Sequence, residues 1–476
     1  MTAARALAVV CLAGLSACTV GPNYRQPDVP MPPAFSELSN PAGPPTSDAD
    51  LARWWLQFRD PVLQSLIERA LANNLGLEAA ASRIRQSRFD EKVARAGQWP
   101  TVNAIGAPLT LNSDGSSGGG TSGAPAQGFE IPGHLNLYAA GFDATWEIDL
   151  FGGVRRQIEA AKANSDAAVW ARRDSQVTLT AEVAADYLTL REVQTRIDIA
   201  EAELHRQKDI GALVASRREA GFVTNLDVNQ QTGATAAAAA QLRQLEAEER
   251  TQIHAIAVLL GEPPETLEPT LARGAAQAPP PPELPAGLPS QLLQRRPDIR
   301  EAERKLAAAN AEIGVQTAGL YPKLDLIGLA AFASPTISNL FSSQAFSSAG
   351  VGMVTAPLFT AGKTLAQINE AKEQATQAEI AYRSAILGAL RDAEDALARY
   401  RSEEARRVQL AQAVSAADNS LTIAKQQYSV GLVTFLNVYT AETTLLNARD
   451  QLAQSDAAAA QDLVSLYKAL GGGWAA

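Results

Sequence analysis

Gly221-Phe-Val-Thr-Asn-Leu-Asp-Val228 and Gly431-Leu-Val-Thr-Phe-Leu-Asn-Val438 are one phrase written twice, 210 residues apart. The same offset pairs Gln241-Leu242 with Gln451-Leu452 and Leu260-Gly261 with Leu470-Gly471. It also pairs Gln157-Ile158 and Ala161-Lys162 with Gln367-Ile368 and Ala371-Lys372. Toward the front of each copy, Gly97-Gln-Trp-Pro100 matches Gly319-Leu-Tyr-Pro322 at an offset of 222. So many anchors in one order mark a duplicated domain, with a period far above the roughly 20–50 residues of solenoid repeats.

Both copies run through the same elements. A helical stretch (about 62–97, then about 298–318) ends at Trp99-Pro100 or Tyr321-Pro322, and two strand-like runs then flank a polar loop. A proline-free stretch, 154–220 or 363–430, leads to the repeated phrase, and a second helix returns to Gly261 or Gly471. At about 1.5 Å per residue, each proline-free stretch makes a helix of roughly 100 Å, long enough to call for coiled-coil packing. Val177, Thr180, Val183, Ala184, Tyr187 and Leu188 supply its apolar stripe. The helices alone fit a plain rod-like bundle. The expected division is a leader at 1–17, a lipid anchor and Pro-rich tether at 18–52, a first repeat at 53–262, an extended Pro-rich linker at 263–290 and a second repeat at 291–476.

The strands add a different requirement. Expected spans are about 101–111, 136–150, 323–333 and 349–358. From Asn136 to Leu150 the even positions read Asn, Tyr, Ala, Phe, Ala, Trp, Ile, Leu, while 143, 145, 147 and 149 read Asp, Thr, Glu, Asp. One face is apolar and the other acidic, with period two. Tyr138 and Trp146 are separated on the apolar face by roughly 26 Å, close to the spacing of aromatic girdles in an outer-membrane barrel. A solvated sheet packed on a helix shows the same alternation, so this strand alone leaves both readings open. The loop 112–133 is rich in Gly and Ser, and 334–348 is polar, as external barrel loops are. Four strands cannot close a membrane barrel, and an open edge in lipid costs several kcal/mol for each unpaired backbone group. Either the strands stay out of lipid, or several chains share one barrel.

The N-terminus reads as processing. Arg5 and the apolar run Ala6 to Leu15 precede Leu15-Ser16-Ala17-Cys18, which matches a lipobox. Cleavage there removes Cys11 and leaves Cys18 as the lipid-bearing residue, with a net charge of −11 in place of −10. A disulfide framework and a cysteine-based zinc site are then excluded. The acidic balance argues against nucleic acid, which needs a basic face. His134, His205 and His254 are far apart and form no metal motif. Low aromatic content (6%) with long alanine-rich stretches favours closely packed helices. Nothing after residue 18 is a transmembrane helix, so any membrane crossing falls to strands.

No enzymatic constellation emerges. Gly362-Lys363-Thr364 ends like a phosphate loop, but Pro357 stands where that motif needs glycine. Arg295-Arg296-Pro297-Asp298 reads as a helix start, with Pro in the first turn and Asp298 complementing the helix dipole. At the repeated tips, Gly221 and Gly431 suit a left-handed turn. Thr224 and Thr434 are placed to cap the returning helices, with Asp227 and Asn437 three positions on.

Further motifs are spread over most of the chain. They include Cys18-Thr-Val-Gly-Pro-Asn-Tyr-Arg25, Trp54-Trp55-x-x-Phe58-x-Asp60-Pro61, Asn74-Leu75 and Leu293-x-Arg-Arg-Pro-Asp-Ile299 with Ala302-Glu303. Tyr321-Pro322, Tyr428-x-Val-Gly-Leu-Val-Thr434 and Ala469-Leu-Gly471 complete the set. Together they resemble the TolC-type outer-membrane efflux proteins, in particular the NodT/OprM-like lipoprotein branch. The resemblance implies a mainly α protein with a membrane β-barrel, in which a homotrimer shares twelve strands above a long α-helical barrel. It implies a passive outer-membrane duct, anchored by N-acyl and diacylglycerol lipid on Cys18 and without a cofactor. Its partners would be a periplasmic membrane-fusion adaptor and an inner-membrane pump of the RND class, with small toxic compounds as cargo. Gly221, Val223, Thr224, Gly431, Val433 and Thr434 would meet the adaptor. Family members often carry acids in the second tip, where this chain has Asn437 and Thr440. Asp227 in the first tip is therefore expected to help close the entrance. The alternatives are a periplasmic coiled-coil lipoprotein with a structural or adaptor role, and a protein-secretion duct.

Overall fold

The computed structural model describes residues 19–37, 48–112, 134–271 and 295–474. The leader, Cys18, the loop 113–133 and positions 272–294 of the expected linker and second-repeat start lie outside them. After a helical turn at Asp48–Ala52, inside the expected tether, and a 3-10 turn at Trp54–Phe58, the main elements are α1 (Pro61–Asn73), α2 (Leu75–Ala96), β1 (Thr101–Asn112), β2 (His134–Ile148), α3 (Gly153–Glu219) and α4 (Asn225–Leu259). The second copy supplies α5 (Pro297–Ala318), β3 (Lys323–Ser334), β4 (Phe346–Thr355), α6 (Lys363–Ser429) and α7 (Phe435–Ala469). The long helices obey the 210-residue offset at both ends: α3 and α6 have 67 residues each, and α4 and α7 have 35 each. No described helix is long and apolar enough to cross a membrane.

Local chemistry explains where elements start and stop. Asp60 caps α1 by accepting from Val62 N (2.8 Å) and Leu63 N (3.2 Å), with Pro61 at the first position. The single helix expected over 62–97 is two, because Asn74 is extended and its Oδ1 accepts Leu77 N (3.0 Å) to start α2. Gly362, at φ +83°, makes the turn into α6. Arg296 clamps Asp298 (2.7 Å) at the start of α5 and donates to Ala469 O (2.8 Å). The linker is not extended from its first residue. Pro264–Leu267 is a 3-10 turn and Glu268–Leu271 a helical turn, because Leu267 and Leu271, four apart, are both fully buried.

The chain forms two compact units. Among the described residues, one gathers 19–27, 85–112, 134–166 and 303–380; the other gathers 28–37, 48–84, 167–271, 295–302 and 381–474. The first holds the sheet, an antiparallel array in the order β1-β2-β3-β4. In register, Tyr138 stands opposite Pro108, Phe142 opposite Ala104 and Ala330, Ala144 opposite Gly328, and Phe332 opposite Phe346. These residues share the apolar face. Among the described residues the outer edges of β1 and β4 have no strand beside them.

Two strand expectations shift. β2 stops at Ile148 because Leu150 N–H turns back to Ile148 O (2.8 Å) and Asp149 accepts from Arg155 N (2.9 Å) and Nε (3.2 Å). Asp149 is thus a helix-start residue and not part of the acidic strand face. β4 is Phe346–Thr355 and not 349–358, since Phe346 pairs with Phe332 and Pro357 has no N–H to continue a ladder. The remaining acidic face is tempered: Asn103 Nδ2 donates to Asp143 (3.2 Å) and Lys323 Nζ to Glu147 (3.1 Å).

In the same unit residues 20–24 of the expected tether are fixed. Val20 N donates to Phe151 O (3.0 Å), and Arg156, 3% exposed, donates to Val20 O (3.0 Å), Gly21 O (3.2 Å) and Asn23 Oδ1 (2.8 Å). Tyr24 OH reaches Glu303 (2.6 Å). Phe151 and Tyr321, at equivalent junctions of the two copies, stack at 4.6 Å. The second unit is centred on Trp54, fully buried, stacked on Tyr467 (5.2 Å) and met edge-on by Trp55 and Phe58. Tyr187 OH donates to Asp60 there.

Candidate functional site: the paired helical tips

The two tips are built alike. α3 ends with Gly221 N donating to Arg218 O (3.1 Å) and Phe222 N to Arg217 O (2.9 Å); Gly221 sits at φ +82°. α6 ends with Gly431 N donating to Tyr428 O (3.1 Å) and Leu432 N to Gln427 O (2.9 Å); Gly431 sits at φ +79°. This double-bonded termination needs a left-handed residue at the glycine position, and no clash with a Cβ enters because nothing lies within 4 Å of either one. The helices then reverse into α4 and α7.

The caps differ between copies. At the first tip, one carboxylate oxygen of Asp227 accepts both Thr224 N (2.8 Å) and Thr224 Oγ1 (2.8 Å). At the second, Thr434 stands at the cap position but, contrary to expectation, its side chain accepts no backbone N–H: Thr434 Oγ1 donates to Asn437 Oδ1 (2.9 Å), and only its carbonyl takes Asn437 N (3.1 Å). Thr440 Oγ1 bonds back to Leu436 O (2.8 Å). Asp227, Asn437 and Thr440 therefore each bond within their own hairpin. Asp227→Ala should lower the local stability of the first turn of α4 by about 1 kcal/mol, read as faster amide exchange over 225–228. Asp227→Asn keeps an acceptor and should lose less.

The structure brings the two tips together. A buried cluster joins Ile210 and Val214 of α3, Ala417, Leu421 and Tyr428 of α6, and Phe435, Val438 and Leu445 of α7. Val223, Val228 and Val433 pack against it. Arg217 lies over the Tyr428 ring at 4.4 Å and donates to Ser429 O (3.0 Å), tying the first tip to the second. Val223 and Val433 face this cluster, while Gly221, Thr224, Gly431 and Thr434 are exposed. Phe222 is 80% exposed and Leu432 75%, with Leu226, Val430 and Leu436 also exposed.

Beside that cluster lies a polar layer that the sequence reading missed. Glu203, Arg206 and Gln207 of α3 meet Glu442 of α7, Lys425 of α6 and Gln231 of α4. A signal was available: Phe435, Val438, Glu442 and Leu445 follow helical spacing, which puts a carboxylate in an apolar stripe. No group of three His, Cys, Asp or Glu among the described residues is placed to hold a metal.

The family model for outer membrane efflux proteins matches residues 66–262 and 288–472, one stretch for each copy. The antibiotic efflux pump outer membrane protein ArpC of Pseudomonas putida is 32% identical over 472 residues, covering 97% of this chain and 93% of that protein. The pyoverdine export outer membrane protein OpmQ of Pseudomonas aeruginosa is 33% identical over 433 residues, covering 90% and 89%. Among solved structures, the outer-membrane channel OprN superposes with a TM-score of 0.85 at 34% identity, covering 96% of this chain and all of that one.

Proposed function

The chain belongs to the outer membrane efflux protein family, and from that membership we propose that it is the passive exit duct of a tripartite efflux system. Three copies each give four strands to a twelve-stranded barrel and their long helix pairs to a helical barrel in the periplasm. The observation that carries this reading is the open four-stranded sheet with one apolar face. Its unpaired β1 and β4 edges are tolerable in lipid only when neighbouring copies pair with them. Lipid on Cys18 adds membrane affinity without spanning the bilayer. The Val20–Phe151 bond fixes the chain two residues after that cysteine to the turn between β2 and α3.

The exposed apolar tips meet a periplasmic membrane-fusion adaptor through the loops of Gly221, Val223, Thr224, Gly431, Val433 and Thr434. An inner-membrane pump of the RND class supplies the energy, and the duct itself hydrolyses nothing. Asp227 is the carboxylate at the entrance and helps to close it. The cargo is small toxic compounds, selected mainly by the pump. Deleting the gene should raise cellular accumulation of at least one class among antibiotics, dyes, detergents and metal ions, and the intact gene should reverse it. An unchanged profile alongside loss of a secreted protein would replace this cargo with protein.

A further inference from the structure

The tips explain the end of the helical hairpins but not the buried charge behind them. Glu203 and Glu442 are 3% and 2% exposed, on α3 and α7, between the tip cluster and a second apolar cluster of Val193, Ile197, Ala200, Leu242 and Leu245. Arg206 Nη2 satisfies Glu203 Oε2 at 2.7 Å, and Gln207 Nε2 satisfies Glu203 Oε1 at 2.6 Å. Glu442 has no comparable support. Its Oε2 lies 3.4 Å from Gln207 Nε2, and its Oε1 stands 3.5 Å from Arg206 Nε and 3.9 Å from Lys425 Nζ. That Oε1 and Arg206 Nε are both buried without a hydrogen-bond partner. From α4 the group reaching the cluster is Gln231, which donates to Gln207 O (2.6 Å) and Oε1 (2.8 Å) and keeps its own Oε1 unpartnered. All four long helices thus contribute to one under-satisfied layer.

We propose that Glu203 and Glu442 form a proton-operated latch between the two helical hairpins. With a proton on Glu442 the pair holds α3/α4 against α6/α7 behind the tips. With both carboxylates ionised, they repel across an apolar seam, and water enters as the hairpins part. Burial, and next the charge of Glu203, push the Glu442 carboxyl up from 4.5 to about 7, while Lys425 and Arg206 pull the other way. The closed packing binds this proton more tightly than the parted one, so its stability is full below the ordinary carboxylate range. It falls as pH rises from about 4.5 toward about 7. The latch becomes a control on conduction only through the proposed role of the tips as the channel entrance, and it rests on that reading for its function.

Two readouts separate the latch from the channel. Amide exchange of the full-length trimer, corrected for intrinsic pH dependence, should rise over 200–210 and 438–446 between pH 5.5 and 8, by up to about tenfold per pH unit below the midpoint. Glu442→Gln keeps the shape and removes the titration, and should leave both segments slow at every pH. Glu203→Gln removes the repelling charge and should move the midpoint to lower pH. A flat wild-type profile, or the wild-type pH response persisting in Glu442→Gln, overturns the latch. Bilayer conductance recorded in parallel should rise with the same midpoint. Exchange that behaves as expected while conductance stays constant upholds the latch and removes the tips as the entrance.

Discussion

Gly141→Val is expected to remove the protein from the outer membrane as an assembled channel. A Cβ at Gly141 would lie 2.4 Å from Ala331 Cα and 2.5 Å from Ala330 O, which are backbone atoms of the paired strand. No side-chain rotation relieves that contact. β2 and β3 must separate, and their ladder runs from Tyr138–Ser334 to Ile148–Leu324, so the strain falls mid-sheet. Overpacking costs typically about 1–3 kcal/mol, and a clash with backbone belongs at the upper end or above. Separated strands in lipid add unpaired backbone groups at several kcal/mol each. Gly328→Ala is the control. Its new methyl meets only Ala144 Cβ at 3.8 Å, on the same sheet, and should be silent. Membrane fractionation and heat-modifiability of the three proteins on gels test the contrast; wild-type behaviour of Gly141→Val would mean the strands do not pair as described.

Trp54→Ala should be the most damaging change in the other unit, with a loss of about 3–5 kcal/mol. The indole is fully buried and joins two distant parts of the chain, the Trp54-Trp55 turn and the C-terminal end of α7 through Tyr467. Gly473 N donates to Leu51 O (2.9 Å) alongside, so the cavity would open where the C-terminus closes over the turn. Trp54 Nε1 has no hydrogen-bond partner. Trp54→Phe therefore loses volume but no bond, and should fall between wild type and alanine. Chemical denaturation followed by circular dichroism measures the order; equal stability of the alanine and wild-type proteins would show that this aromatic group is not the core of its unit.

The duplication was legible because it is written in order along the chain. The 210-residue offset of the Gly-x-Val-Thr phrases fixes both ends of α3 against α6 and of α4 against α7. The tip glycines and the Thr224–Asp227 pair were readable for a similar reason: their roles depend on neighbours within about four residues, whereas Thr434 turns its hydroxyl to the Asn437 side chain and not to the α7 backbone. The ends of β2 and β4 were not readable, since they are set by Phe346 finding Phe332 and by Asp149 turning to Arg155, which are matters of pairing and not of pattern. The tether shows the same limit. Arg156 looks like an exposed helix-start charge, and only the fold brings Val20, Gly21 and Asn23 to it across more than a hundred residues. Glu203 and Glu442 interrupt their apolar stripes visibly, yet their meeting depends on how four helices are phased. The polar layer behind the tips is therefore a property of the packed bundle.

The most direct measurement is the conductance of the purified, lipid-modified protein in a planar bilayer, with its oligomeric state taken from native mass spectrometry of the same sample. The prediction is a trimer that gives discrete conductance steps, abolished in Gly141→Val and preserved in Gly328→Ala. A monodisperse monomer that binds the bilayer through its lipid and passes no current would contradict the channel and leave a periplasmic coiled-coil lipoprotein in its place.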